Sequence, residues 1–305
     1  MTLLSHHILP EERRPKLKAL LGRGRPLRFM ETHNPLSAIV AQTASALALN
    51  GETARFDGLW LSGFSMATSR GLPDIELAKF ERRLETIEEI AAATDLPLIA
   101  DGDTGGESLA FQLLCARLET IGVSAVVIED KMFPKRTSLA DGVRHALEDP
   151  HLFVSKIANA KSSLRSTDFM IFARTEALIA GAGIEEALRR AEVYLESAAD
   201  GILVHSKVNS GKDVFEFATN YRRLCSAKGI SKPLVVIPTA YPQFYECDLA
   251  EVGIDLVIYG NHQIRAAHAA MTNVCQLILQ HERALEAQDS ISTVRELIDA
   301  VGSGE

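Results

Sequence analysis

The sequence predicts an α/β protein in which eight parallel strands, each followed by a helix, close into a (β/α)8 TIM barrel. Three observations carry that prediction. Eight short apolar runs each end in polar residues and lead into a segment of helical period. Strand and helix alternate, which forces parallel pairing. The eight units fit within about 250 residues, which favours closure over an open sheet. The length of 305 residues alone accommodates either one large barrel or two ordinary domains.

In chain order, residues 1–26 form a locally basic opening, with Arg13, Arg14, Lys16, Lys18, Arg23 and Arg25 against Glu11 and Glu12. We read this opening as a solvated N-terminal helical extension. The strands fall at 27–32, 58–62, 96–101, 125–130, 169–174, 201–205, 234–239 and 256–261. The run into Glu129 has the β-branched richness of a buried parallel strand. Residues 37–49, 77–93, 108–121, 150–162, 184–198, 213–227 and 264–287 carry apolar side chains at spacings of three and four, the mark of helices packed on one face. Residues 46–55 read as an insertion before the second strand. The barrel is assigned to 27–285, and 286–305 to a C-terminal helical tail.

Composition limits the function. A formal charge of −8 argues against general nucleic-acid binding. The N-terminus lacks the apolar core of a signal peptide, and no run approaches the roughly 18 apolar residues of a membrane span, so a cytoplasmic protein with no membrane partner is expected. Cys115, Cys225, Cys247 and Cys275 are too scattered for a zinc site and read as free thiols. There is no Walker loop, no Gly-x-Gly-x-x-Gly after the first strand and no Gly-x-Ser-x-Gly elbow.

In a barrel the C-terminal strand ends converge on one face, where barrel enzymes place their sites. All eight ends are polar. Asp101 and Asp103 on one strand end and Glu129 on the next supply three carboxylates, a donor set suited to Mg²⁺ or Mn²⁺; the alternative is a pair of loop aspartates capping the following helix. Arg174 ends an apolar strand, where its guanidinium either clamps a substrate carboxylate or pairs with Glu176 or Glu129. His205 either donates to an anion or is structural. Ser62-Gly63-Phe64 places a hydroxyl beside a glycine where backbone N–H groups can approach an anion. Trp60 reads as a wall of the pocket. The polar stretch 128–141, with Lys131, Lys135 and Arg136, reads as a mobile loop beside a site for anionic groups.

The combination Glu129-Asp130-Lys131-Met-Phe-Pro-Lys135-Arg-Thr137-Ser138-Leu139, Asp101-Gly-Asp103-Thr-Gly, Ala173-Arg174-Thr-Glu176-Ala, His205-Ser206-Lys207 and Asn261-His262 resembles the phosphoenolpyruvate mutase and isocitrate lyase superfamily. The resemblance implies a Mg²⁺-dependent barrel, with Mn²⁺ or Co²⁺ as substitutes, acting on small 2-oxo acid or enolpyruvyl substrates. It also implies a homotetramer in which pairs of subunits exchange the last barrel helix.

By the same resemblance Asp101 holds the metal directly and Asp103 and Glu129 reach it through waters. Asp74, in Gly-Leu-Pro-Asp, orients that water shell. Arg174 secures the oxo-acid end. Ser62, the Gly63 and Phe64 amides, Ser138 and His205 receive the substrate, and Lys135 and Thr137 arrive when the loop closes. The loop selects the branch. The lyases carry Lys-Arg-Cys-Gly-His where this chain has Lys135-Arg136-Thr137-Ser138-Leu139, and the mutases carry asparagine at the position of Thr137. Phosphonopyruvate hydrolases carry threonine, and Pro238-Thr-Ala-Tyr-Pro-Gln243 is similar to theirs as well. The hydrolase branch leads, with the mutase branch next. Gly105-Gly106-Glu107 departs from the aromatic, glycine and asparagine usual in the superfamily.

Overall fold

The computed structural model describes residues 8–49, 51–76, 80–138, 140 and 142–302. Residues 1–7 of the N-terminal extension, Asn50 of the insertion, 77–79 of the expected helix 77–93, Leu139 and Asp141 of the loop and 303–305 of the tail lie outside the described residues.

The strands are β1 (Leu27–Thr32), β4 (Gly58–Leu61), β5 (Leu98–Asp101), β6 (Ala125–Glu129), β7 (Met170–Thr175), β8 (Gly201–Val204), β9 (Leu234–Val236) and β10 (Leu256–Tyr259), with β2 (Ala46–Leu47) and β3 (Thr53–Ala54) forming a separate antiparallel ribbon in the insertion. The eight long-range strands close a barrel in the order β1-β10-β9-β8-β7-β6-β5-β4. All of its pairs are parallel. The helices around it are α3 (Pro35–Thr43), α4 (Gly63–Thr68), α5 (Phe80–Ala93), α6 (Ser108–Ile121), α7 (Pro150–Ser163), α8 (Gly183–Leu195), α9 (Lys212–Lys228), α10 (Glu246–Glu251) and α11 (His262–His281), preceded by α1 (Pro10–Arg13) and α2 (Lys16–Leu20) and followed by α12 (Val294–Val301). No helix among the described residues is long and apolar enough to cross a membrane.

Where boundaries differ from the sequence expectation, the cause is local. β5 starts at Leu98 because Pro97 has no N–H for the ladder, although its carbonyl accepts from the Leu59 amide at 3.0 Å. β9 ends at Val236, short of Pro238. The expected helix 37–49 is instead Pro35–Thr43, opened by Asn34, whose side chain accepts from the Ser37 amide at 2.8 Å, and the remainder enters the ribbon. The expected helix 264–287 stops at His281, where Glu282 turns left-handed (φ 52°), and a 3-10 turn, Leu285–Ser290, follows.

Successive strand residues alternate between two cores, as the period of two requires. Leu27, Phe29, Trp60, Ile99, Val127, Phe172, Leu203, Val235 and Ile258 fill the barrel interior. Leu59, Leu61, Leu98, Val126, Ile128, Ile171, Ile202 and Val236 face outward onto the helices. Burying each such side chain contributes roughly 1.5–3 kcal/mol. Gly58 opens β4 because a Cβ there would stand 2.3 Å from the Phe29 ring.

The basic opening is solvated only in part: Lys18, Arg23 and Arg25 are exposed, but the remaining cations pack against the barrel. It forms two short helices that seal the barrel floor: Leu17 is fully buried in the interior core, and Arg13, 2% exposed, donates to the Ala91 carbonyl at 2.5 Å and the Thr94 carbonyl at 2.6 Å. Arg14 donates to the Glu119 carbonyl at 2.8 Å and Lys16 to that of Asp95 at 2.6 Å. These carbonyls lie in or just beyond the last turns of α5 and α6, where orphan acceptors and the negative helix end attract cations.

Candidate active site

The strand ends carry three kinds of side chain in order around the mouth: acids on β5 and β6, cations and their counter-ions on β7 and β8, and neutral polar groups on β9 and β10. A cavity of about 80 Å³ lies between them, bounded by Trp60, Ser62, Asp74, Asp101, Arg174 and His205, with Phe64, Lys135, Thr137, Ser138, Thr239 and Asn261 also on its wall. Of the residues expected at the site from sequence, only Gly63, Asp103 and Glu129 are outside this lining, and they stand immediately behind it. Gly63 donates its amide to Asp101 Oδ2 at 3.2 Å. Its missing side chain matters as much, since a Cβ would stand 2.9 Å from Asp101 Oδ2 and 3.0 Å from Asp103 Oδ1. Ser62 caps α4, its Oγ accepting from the Ser65 amide at 3.2 Å.

On the acid side Asp101 accepts the Asp103 amide at 3.1 Å through Oδ1. Asp103 sits in the left-handed region (φ 53°) and ion-pairs with Lys135 Nζ at 2.6 Å through Oδ1, while Arg83 donates to its Oδ2. Burial works against an ionised Asp103, yet Lys135 and Arg83 hold its carboxyl down at about 2. Glu129, 1% exposed, lies 3.4 Å from Lys131 Nζ and 3.2 Å from Arg174 Nη2. Neither of its carboxylate oxygens has a hydrogen-bond donor. Burial pushes its carboxyl up to about 7 in spite of Arg174.

Among the described residues no three His, Cys, Asp or Glu side chains enclose a metal by themselves. The residues nevertheless fit Mg²⁺, which binds through one or two carboxylates and keeps several waters. Asp101 faces the cavity, and the unsatisfied oxygens of buried Glu129 are what a hydrated cation would satisfy.

On the cation side both readings of Arg174 hold together. It pairs with Glu176 Oε1 at 2.5 Å and with Glu129, and it still borders the cavity. Burial weakens the charge, but Glu176 and Glu129 raise the guanidinium above its ordinary value. Glu176 is fully buried and also takes Lys131 Nζ at 2.9 Å and the Ser138 hydroxyl at 2.8 Å. His205 Nδ1 lies 2.7 Å from Glu176 Oε1 and 2.8 Å from Arg174 Nη2, so the choice of protonated ring nitrogen sets whether Nε2 offers the cavity a donor or an acceptor. Burial and Arg174 lower the imidazole and favour the neutral ring.

The loop is drawn over this site. Lys135 Nζ reaches Asp74 at 2.9 Å as well as Asp103, its amide donates to Glu76 Oε2 at 2.8 Å, and the Thr137 hydroxyl donates to the Asp74 carbonyl at 2.9 Å. Met132 donates back to the Ala146 carbonyl at 2.9 Å, and Lys131 bridges Leu147, closing the loop at its base. Asp130, between two site residues, points outward and accepts from Tyr194 at 2.6 Å and Arg190 at 3.1 Å, which ties β6 to α8.

Two residues at the site, Arg83 and Glu76, were not singled out in the sequence. They precede β5 in a segment with no strand-end signal, so nothing in the pattern pointed to them. Thr239 and Asn261 were quoted only within motifs and given no role; both line the cavity, and their buried Oγ1 and Oδ1 lack hydrogen-bond partners.

The model of the phosphoenolpyruvate phosphomutase family matches residues 17–279. The phosphonopyruvate hydrolase of Variovorax sp. (strain Pal2) is 38% identical over 288 residues, covering 94% of this chain and 93% of that one. A crystal structure of the phosphoenolpyruvate phosphomutase from Streptomyces platensis subsp. rosaceus superposes with a TM-score of 0.86 at 35% identity and covers 94% of each chain. A structure of a phosphonopyruvate hydrolase in complex with oxalate and Mg²⁺ superposes with a TM-score of 0.83 at 36% identity and covers 95% of each chain. A closed eight-stranded barrel, a ring of acids and cations at its C-terminal mouth and a family match across most of the sequence agree: this chain belongs to the phosphoenolpyruvate phosphomutase family.

Proposed function

We propose that this chain hydrolyses the carbon–phosphorus bond of phosphonopyruvate to give pyruvate and phosphate, with Mg²⁺ as its metal and Mn²⁺ or Co²⁺ as substitutes. The observation that carries the reading is Thr137, which borders the cavity with its hydroxyl donating to the Asp74 carbonyl. A mutase must keep water from the transferring phosphoryl group, whereas a hydrolase must admit and align one water molecule. A short side chain on the cavity wall, its hydroxyl already engaged by a backbone carbonyl, leaves room for that water. The 38% identity to a phosphonopyruvate hydrolase across nearly the whole chain supports the same choice.

Phosphoryl transfer needs positioning and charge stabilisation more than covalent help from the protein. Arg174 holds the oxo-acid end against its Glu176 partner. Ser62, the Phe64 amide, Ser138 and His205 receive the phosphoryl group, and Gly63 lets Asp101 approach. Lys135 closes the loop over the acids. Water oxygen bonds to phosphorus as the phosphorus–carbon bond breaks, the electron pair of that broken bond leaves with pyruvate as its enolate, the added water gives up one proton to solvent, and the enolate takes up one proton at carbon. Asp101 would hold a divalent cation, with Asp103, Glu129 and Asp74 close by, and the cation would supply the countercharge that makes the enolate a tolerable leaving group.

Phosphorus NMR of the purified protein with Mg²⁺ and phosphonopyruvate tests this: inorganic phosphate with stoichiometric pyruvate is expected. The mutase reading draws on the TM-score of 0.86 to a phosphomutase, and phosphoenolpyruvate as the product would establish it. Thr137→Asn is expected to lower hydrolysis at least about tenfold, since a longer amide in the cavity displaces the attacking water. Wild-type hydrolysis in this variant would remove Thr137 from the explanation.

We further propose a homotetramer in which subunit pairs exchange α11. Only Ile264 of this 20-residue helix is buried, while Met271 and Leu279 lie exposed along it. Sedimentation equilibrium should give a mass four times that of the chain, and a monomer at micromolar concentration would exclude the exchange.

A further inference from the structure

We propose that Arg83 is a positioning residue of the acidic half of the site, one that takes Asp103 out of direct metal coordination and so sets how tightly the divalent cation is held. The inference rests on the reading of Asp101 as the residue that holds the metal. Arg83 is 4% exposed on α5, among Leu84, Ile87 and Ile90 of the outer core. A guanidinium in such surroundings is costly unless its charge is answered. Its Nη1 donates to Asp103 Oδ2, and its Nη2 donates to the backbone carbonyl of Asp101. One planar fork thus grips the side chain of one acid and the main chain of the other, which an ammonium cannot do with the same geometry.

Two consequences follow from that grip. Asp103 sits in a left-handed backbone conformation that a non-glycine residue rarely adopts, and a fixed carboxylate helps to hold it there. Its Oδ1 already faces Lys135 Nζ at 2.6 Å, so with Arg83 on Oδ2 both oxygens are turned to permanent cations. Asp103 is then left to meet the metal only through water, while Asp101 and Glu129 carry its charge. Arg83 also places a fixed positive charge directly behind the metal-holding acids, where it opposes a second cation. Its effect on affinity is therefore opposite in sign to its effect on geometry.

That opposition separates this role from a merely structural one. Mn²⁺ binding to the full-length protein is measured by electron paramagnetic resonance at fixed ionic strength, beside steady-state turnover of phosphonopyruvate, for the wild type, Arg83→Gln, Arg83→Lys and Asp101→Asn. Arg83→Gln is expected to bind Mn²⁺ about tenfold more tightly, the Coulomb repulsion being removed, while kcat falls at least about tenfold because Asp103 loses its anchor. Arg83→Lys keeps the charge and loses the fork, so its Mn²⁺ Kd should stay within about twofold of the wild type while kcat remains lowered. Unchanged or weaker Mn²⁺ binding by Arg83→Gln overturns the proposal, as does wild-type kcat in Arg83→Lys. If Arg83→Gln does not fold, Arg83→Lys decides: a Mn²⁺ Kd more than about twofold from the wild type, or a wild-type kcat, overturns the proposal. Wild-type binding no tighter than that of Asp101→Asn would overturn the metal reading itself, whereas a wild type that binds more tightly than Asp101→Asn but no differently from Arg83→Gln overturns the role of Arg83 alone.

Discussion

Asp101→Asn is expected to reduce Mg²⁺-dependent pyruvate formation from phosphonopyruvate by at least about 10³-fold, equivalent to roughly 4 kcal/mol of lost transition-state stabilisation. The substitution preserves shape and still lets the side chain accept the Asp103 amide, an interaction that spans 3.1 Å in the wild type. What it removes is the one carboxylate that faces the cavity from the end of β5 without an ion-pair partner of its own in the loop. Asp103 is held by Lys135 and Arg83, and Glu129 stands behind Arg174, so neither is placed to replace it. The variant should keep its far-UV circular dichroism and melt within a few degrees of the wild type, because the barrel core is untouched. Initial rates over a range of Mg²⁺ concentrations provide the test. Activity within tenfold of the wild type at saturating Mg²⁺ would move the metal to other residues.

Lys135→Gln is expected to lower kcat/KM by about 10²- to 10³-fold. The Nζ of Lys135 reaches the acid side of the site at 2.6 Å from Asp103 and 2.9 Å from Asp74. It therefore does two things: it offsets buried negative charge, and it pins the loop over the cavity. Breaking one partner of a buried charge pair typically costs about 3–5 kcal/mol through the charge left uncompensated. Here part of that cost falls on the closed state of the loop alone, because an open loop returns the acids to water. The loop would accordingly close less often, and KM should rise as kcat falls. Limited proteolysis near residues 132–146 reports this directly, with faster cleavage in the variant. Wild-type protection together with wild-type kinetics would mean that Lys135 neither closes the loop nor serves the chemistry.

Much of this site is legible in the sequence because a parallel barrel translates sequence position into spatial position. Each strand end lies on one face, so Asp101, Glu129, Arg174 and His205 converge by virtue of where their apolar runs stop. The loop motif around Lys135, Thr137 and Ser138 was legible for a second reason, its resemblance to a superfamily in which that motif occupies the same place. Element boundaries were less legible wherever one residue overrode a longer pattern. Pro97 shortened β5, and a left-handed Glu282 ended a helix whose apolar period continues past it.

The basic N-terminus shows how composition misleads. Six cations in the first 26 residues read as a solvated face. Instead Arg13 is buried, since what it pairs with is not an acid in the sequence but the backbone carbonyls of a helix 78 residues away in the chain. Backbone acceptors are invisible to any count of charged side chains. Arg83 escaped notice for the same kind of reason: it sits in a helix beside Arg82 with nothing to distinguish the two, yet Arg82 is exposed and Arg83 is enclosed by two aspartates.

The sequence by itself determined the fold class, the family and the set of acids and cations that meet at the mouth, because apolar periodicity and strand-end chemistry are local properties of the chain. Only the tertiary structure decided which partner each charge has. Glu176 gathers Arg174, Lys131, Ser138 and His205, Asp130 turns away to α8, and Asp103 is clamped between Lys135 and Arg83. The physical reason is range. A buried charge is answered by whichever groups lie within a few ångströms in space, and in this barrel those groups come from strands, helices and a loop separated by tens of residues along the chain.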